Sequence, residues 1–410
     1  MVPPDSLQHH DLDGASPQFH EQQTASEPLS YRSTPFPQGT GSAQEGPQEA
    51  AAQSSEELRP RAPALQKLHH LNRSSPDFHN QFCGVLYEQE YIQCAQNVEG
   101  DDLVWLVDYL NKALDRLDPS SAASRKCLRE LRSICGTRAI LPASYTLSAG
   151  LLKFDANPFA SGGYGDVYLG TLGGSKVCAR RMRLYHDRSD DNRRLTKIFY
   201  REAITWKRLT HPNIVPLLGL TIAPLQLISS WMPGGTLREY IGKHPDSDRP
   251  GLLSDVAKGL CYLHSRDVIH GGIKGANILV DDSGHARIAD FSEAILAKDE
   301  DSVGDDSGVP DHSPRWTAPE VLNKGAYNKA ADIFSFAMTM IEVFTGAVPF
   351  RNYVSATVIA TIIQGKRPPR PTCPTFTDNL WTLMQRCWDH DPLLRPEASE
   401  VLEILVTPVP

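Results

Sequence analysis

Residues 270–292 read HGGIKGANILVDDSGHARIADFS, and the fold turns on how this stretch is taken. It predicts a short strand pair around Ile278 to Ile288, set inside a region, 236–405, whose apolar spacing is otherwise helical. Upstream, residues 150–232 mix short β-branched or apolar runs with Gly-rich turns and contain one long helical segment near 190–209. A small mixed lobe followed by a large helical lobe suggests a ligand cleft between them.

The small lobe carries Ala160-Ser161-Gly162-Gly163-Tyr164-Gly165-Asp166-Val167, followed by Tyr168-Leu169-Gly170. Glycines let a backbone turn tightly and approach phosphate oxygens with no Cβ in the way, so this run is a candidate phosphate cover. A Gly-rich hairpin without a ligand fits the run equally well on its own.

The chain has 410 residues and 40% apolar composition, enough for a sizeable core and two or three units of ordinary size. Of its net charge of -8, residues 1–63 carry -6, from nine acids and three bases. The near-neutral remainder offers no electrostatic case for nucleic acid, which calls for clustered Lys and Arg. The eight cysteines form no C-x-x-C pair and read as small buried residues of a reducing compartment. No secretory signal opens the sequence, and its longest apolar region, Ile333 to Phe350, is too short and amphipathic to span a bilayer. A cytoplasmic protein is expected.

Residues 1–63 hold nine prolines, eight glutamines and eight serines against nine large apolar residues. Such a tail cannot bury enough surface to offset its chain entropy, and it is read as disordered, an acidic leader or docking segment. Residues 64–140 read as helical. Asp101 and Asp102 are expected to cap a helix with the stripe Leu103, Leu106, Val107, Leu110, Leu114 and Leu117. A second helix is expected to start at Ser120 or Ser121, carry Leu128, Leu131 and Cys135, and end at Gly136. A weaker helical pattern with Phe82, Val85 and Leu86 precedes both. Packing on the following domain is the simpler reading of this unit; a separate partner-binding helix pair is the other.

In order and spacing the whole series from 150 to 405 resembles the protein-kinase signature set. The Gly-rich run matches G-x-G-x-x-G-x-V except for Ala160 at the first glycine. Val177-Cys178-Ala179-Arg180 falls at V-A-I-K, and Glu202 at the helix glutamate. His211-Pro212-Asn213, a hinge-like Ser230-Trp231-Met232, His270 to Asn277, Asp290-Phe291-Ser292, Ala318-Pro319-Glu320, Asp332 and Arg395-Pro396 follow. Phrases such as WKRLTHPNIVPLLGL and SPRWTAPE resemble the tyrosine-kinase-like class in the form seen in large fungal families. The resemblance implies an α+β, bilobal, kinase-like domain over 141–405, divided into a small lobe (141–232) with a five-stranded sheet and one helix, and a large lobe (233–405).

By that resemblance, Gly162, Gly163 and Gly165 cover phosphates, Val167, Cys178 and Leu279 flank an adenine ring, and Ser230 and Met232 belong to the hinge. Asn277 and Asp290 hold Mg²⁺, for which hard oxygen donors suit, and Lys274 contacts the transferred phosphate. Glu320 and Arg395 pair across the large lobe, and Asp332 anchors the catalytic-loop backbone. Two departures fall on chemistry. The catalytic aspartate's position, five before Asn277, is Gly272, and the strand lysine is Arg180, a bulky planar fork in place of a compact ammonium. Asp267 is a decoy by spacing, and Lys176, four residues before Arg180, lies about 13 Å out of place on a strand. Arg180 is expected to pair with Glu202 as a bidentate latch. Ser292 replaces the mobile glycine of D-F-G and restricts the backbone there.

The segment from Asp290 to Glu320 is already acidic (Asp299, Glu300, Asp301, Asp305, Asp306, Asp311), and Gly271 replaces the arginine that would grip a phosphorylated Ser302, Ser307 or Ser313. The expectation is a pseudokinase that binds ATP and Mg²⁺ weakly and regulates signalling proteins of unknown identity. The alternative is a weakly active serine/threonine-type protein kinase.

Overall fold

The computed structural model describes residues 62–71, 75, 77–162, 165–183, 189–297 and 314–407. The acidic tail, Gly163 and the acidic loop with its three serines lie outside the described residues.

Five helices come first: α1 (Pro63–His69), α2 (Phe78–Tyr87), α3 (Gln89–Asn97), α4 (Gly100–Leu114) and α5 (Ala122–Arg138). Their apolar stripes converge, with Leu65, Phe82, Leu86, Tyr91, Leu106, Leu110 and Leu131 all fully buried. Asp101 and Asp102 do not cap α4. They sit inside its first turn, where carboxylates suit the helix dipole, and Glu99 holds the N-cap position without a side-chain bond. Asp102 instead accepts from the Ala62 backbone N–H at 3.0 Å. Ser121 does cap α5, its hydroxyl accepting from Ser124 N–H. Gly136, however, does not end that helix, which runs on to Arg138 and stops at Ala139 in the left-handed region. The glycine serves packing instead: a Cβ there would stand 2.8 Å from Arg201 Cγ on the next long helix.

The small-lobe sheet is antiparallel. Its strands are β1 (Leu152–Phe154), β2 (Ala160–Gly162), β3 (Gly165–Leu172), β4 (Ser175–Arg181), β5 (Leu217–Ile222) and β6 (Leu225–Ser230), in the order β1-β3-β4-β6-β5 with β2 also paired to β3. Six strands thus replace the expected five. β1 and β2 lie end to end along β3, pairing Phe154 with Gly170 and Ala160 with Val167. Between them stands Pro158, which has no N–H to give a ladder. One helix, α6 (Ser189–Lys207), completes the lobe and packs against α5.

Beyond the hinge come β7 (Gly235–Thr236), α7 (Leu237–Lys243), α8 (Arg249–Ser265), β8 (Val268–Ile269), β9 (Ile278–Val280), β10 (Ala286–Ile288) and β11 (Ile295–Leu296). β9 and β10 are the expected strand pair, in register Ile278 to Ile288, and β11 pairs with β8. Helices α9 (Pro319–Lys324), α10 (Lys329–Thr345), α11 (Ser355–Ile363), α12 (Asp378–Cys387) and α13 (Ala398–Val406) fill the large lobe. α10 is buried nearly all round, which explains the long apolar run Ile333 to Phe350 without a membrane. Among the described residues no helix is long and apolar enough to cross one.

Candidate functional site: the interlobe cleft

Strand alternation sorts the small-lobe residues. Val177 and Ala179 pack with Ile228 in a separate small core, so Cys178 and Arg180, at the intervening positions, take the opposite face. Val167 is directly across the ladder from Arg180. Burial pushes the Cys178 thiol up to about 11, which makes it a packing residue and not a nucleophile. At the phosphate-cover position, Gly165 has φ 150 and a Cβ there would stand 2.1 Å from the Arg181 carbonyl oxygen. Only glycine permits that approach. Leu279 and Ser230 are half-buried, and Met232 is buried.

Arg180 Nη2 donates to Glu202 Oε1, and the same nitrogen lies 4.0 Å from Asp290 Oδ1. One guanidinium therefore faces two carboxylates. Burial opposes its charge, but Glu202 and Asp290 outweigh that, so the cation is held more firmly than an exposed arginine. Burial pushes the Glu202 carboxyl up to about 7, against the pull of Arg180 and a bond from the Phe291 backbone N–H. Burial would also raise Asp290, yet Arg180 and Ser292 overcome it and keep that carboxylate ionised below its usual value.

The catalytic-loop segment is fixed by Asp332, buried on α10. Its Oδ2 accepts from His270 N–H and His264 Nε2, and its Oδ1 from Gly271 N–H, each at 2.9 Å. Asn277 Nδ2 donates to Gly272 O at 2.9 Å, closing the loop and leaving the amide oxygen as a donor atom for a ligand. Lys274 is half-buried beside them. Asp290 adopts φ 62, and Phe291 is buried between Trp206 of α6 (ring centroids 5.6 Å) and His270 (5.1 Å). Across the large lobe Arg395 makes a two-pronged bridge to Glu320 at 2.7 and 2.8 Å. Asp267 is tied to Lys329 and Arg125, a structural role outside the cleft.

One carboxylate and one amide oxygen are a sparse donor set, the kind Mg²⁺ uses when phosphates and water supply the rest. No larger cluster of metal-binding side chains occurs among the described residues. Asp290 and Asn277 fit such an ion; Arg180, a fixed cation 4.0 Å from Asp290, weakens that fit.

Sequence reasoning passed over three side chains. Arg132 of α5 donates from Nη2 to the Ala294 carbonyl, just past the Asp290 turn. Arg208, following α6, binds Asn111, Asp115 and Tyr145. Both lash the helical unit to the kinase-like body, and no local pattern marks either. The third is Glu293, whose Oε2 stands 3.2 Å from where a Cβ on Gly272 would be.

A family model described as "Protein tyrosine and serine/threonine kinase" matches residues 155–405, more than half of the chain. The serine/threonine-protein kinase STY46 of Arabidopsis thaliana is 32% identical over 62% of this chain and 44% of its own. The serine/threonine/tyrosine-protein kinase HT1 of the same plant is 29% identical over 62% and 65% respectively. The tyrosine-protein kinase Fer of Rattus norvegicus is 31% identical over 58% and 29%. The chain thus spans less than two thirds of each of these relatives. With the signature residues placed around one cleft and the family model matched across both lobes, the chain belongs to the protein tyrosine and serine/threonine kinase family.

Proposed function

We propose that this chain binds Mg·ATP weakly in the interlobe cleft and acts as a pseudokinase, regulating cytoplasmic signalling proteins through its surfaces, with phosphoryl transfer at most marginal. The observation that carries this reading is the catalytic loop. It is anchored by Asp332 around Asn277, yet offers no side chain at Gly272. Loss of a positioned base costs on the order of 10² to 10⁴ in rate. Arg180, held by Glu202, stands in place of the lysine that would reach the α- and β-phosphates. When bound, Mg·ATP would supply the γ-phosphoryl group and the charge that neutralises it. Asp290 and Asn277 would hold the metal, Gly162 and Gly165 would cover the phosphates, and Val167, Cys178 and Leu279 would flank the base.

The test is nucleotide titration of the full chain by thermal shift. Mg·ATP should raise the melting temperature of the wild type and not of Asp290→Ala. No shift in the wild type refutes nucleotide binding, and rapid metal-dependent turnover refutes the pseudokinase reading.

A further inference from the structure

We infer that Glu293 supplies the carboxylate that Gly272 lacks and is the base for the marginal phosphoryl transfer; the inference rests on reading the cleft as an Mg·ATP site. An aspartate at 272 would carry its carboxylate one bond beyond its Cβ. A Cβ built there lies 3.2 Å from Glu293 Oε2 and 3.5 Å from Glu293 Cδ. The glutamate's carboxylate therefore stands within the space an aspartate's would sweep. The same Cβ is 3.3 Å from Asn277 Nδ2, so the position it would fill borders the loop that carries Asn277.

The backbone brings it there. Gly271 has φ 76, and a Cβ on it would stand 2.8 Å from the Glu293 carbonyl oxygen, so this glycine lets the chain after Asp290 press against the catalytic loop. The turn is held on both sides: Phe291 is buried, Ala294 N–H donates to Phe291 O at 3.1 Å, Arg132 grips the Ala294 carbonyl, and β11 follows at once. Glu293 itself is half-buried.

In the step proposed, a serine or threonine hydroxyl oxygen bonds to the γ-phosphorus as the bond to the β,γ-bridging oxygen breaks. ADP leaves with that electron pair, and the hydroxyl proton passes to Glu293.

The experiment measures incorporation of labelled γ-phosphate, with Mg²⁺ or Mn²⁺, by the full chain onto itself and a generic basic protein, with Asp290→Ala as background. Glu293→Gln should fall to that background while keeping the Mg·ATP thermal shift of the wild type. A second readout is independent of activity. Gly272→Asp sets two carboxylates in contact, so it should lower the melting temperature, and by at most half as much in a Glu293→Gln chain. Wild-type incorporation equal to Asp290→Ala, incorporation unchanged by Glu293→Gln, or an equal Gly272→Asp penalty in both chains overturns the inference. Absence of the thermal shift in the wild type refutes the nucleotide reading with it; a preserved shift with unchanged incorporation refutes the inference alone.

Discussion

Removing the Asp332 carboxylate should loosen the catalytic loop. Asp332 is 1% exposed and accepts three hydrogen bonds at 2.9 Å, two of them from successive backbone N–H groups, His270 and Gly271. In Asp332→Ala those two donors lose their acceptor. His270 is fully buried, so water cannot replace it there, whereas His264 lies nearer the surface and can turn. An orphaned buried donor costs about 1–3 kcal/mol, and with Gly271 N–H only partly buried the pair costs about 3 kcal/mol. Relief from burying the aspartate's own charge reduces that somewhat. Unfolding entropy grows with chain length, so for more than 300 folded residues each kcal/mol is worth about 1.5 °C, and the melting temperature should fall by about 4 °C. Differential scanning calorimetry on wild type and variant reads the shift, and hydrogen exchange should show the loss of protection centred on residues 270–272. A fall below about 2 °C, with exchange at 270–272 unchanged, would refute the claim that one carboxylate holds this loop.

Other outcomes follow from the same contacts. The Glu202 carboxyl, pushed from 4.5 to about 7 chiefly by burial, keeps a proton in the folded chain that the unfolded chain has released. Its stabilising contribution is complete below pH 4.5 and is lost as the pH rises through 7. The melting-temperature advantage of wild type over Glu202→Gln should shrink across that window, and an advantage that grows with pH contradicts it. Gly136→Leu should separate α5 from α6, since even a Cβ meets Arg201 Cγ at 2.8 Å; overpacking of this kind costs about 1–3 kcal/mol. Urea unfolding would measure it, and an unchanged midpoint would remove Gly136 from the interface.

The elements most legible in the sequence are those set by local periodicity. The stripe from Leu106 to Leu117 is buried, α6 covers the expected 190–209 region closely, and β9 and β10 pair around Ile278 and Ile288. Spacing also set Gly272 five residues before Asn277, and these two do share a hydrogen bond. What escaped depends on partners distant in sequence. Gly136 looks like a helix stop until Arg201 is seen across from it, and Asp102 looks like a cap until Ala62 claims it. Glu293 lies 21 residues from Gly272, and nothing in either segment announces that a backbone held by Phe291 and Arg132 brings them together. The sheet's sixth strand comes from an interruption at residues 155–159, which include Pro158, and it is visible only once the register along β3 is known.

The packing of α5 on α6 also has a bearing on synthesis. A ribosome delivers the N-terminal part of a chain first, and units that bury their own apolar faces can form as they emerge. Helices α1 to α5 share a core built on Leu65, Phe82, Tyr91, Trp105 and Leu110, all of them translated before Ser189, where α6 begins. The surface that receives α6, with Gly136 at its point of closest approach, is therefore laid down before the helix that docks on it. The helix bearing Glu202 thus follows, in order of synthesis, the surface it packs on, and β5 and β6 follow that helix.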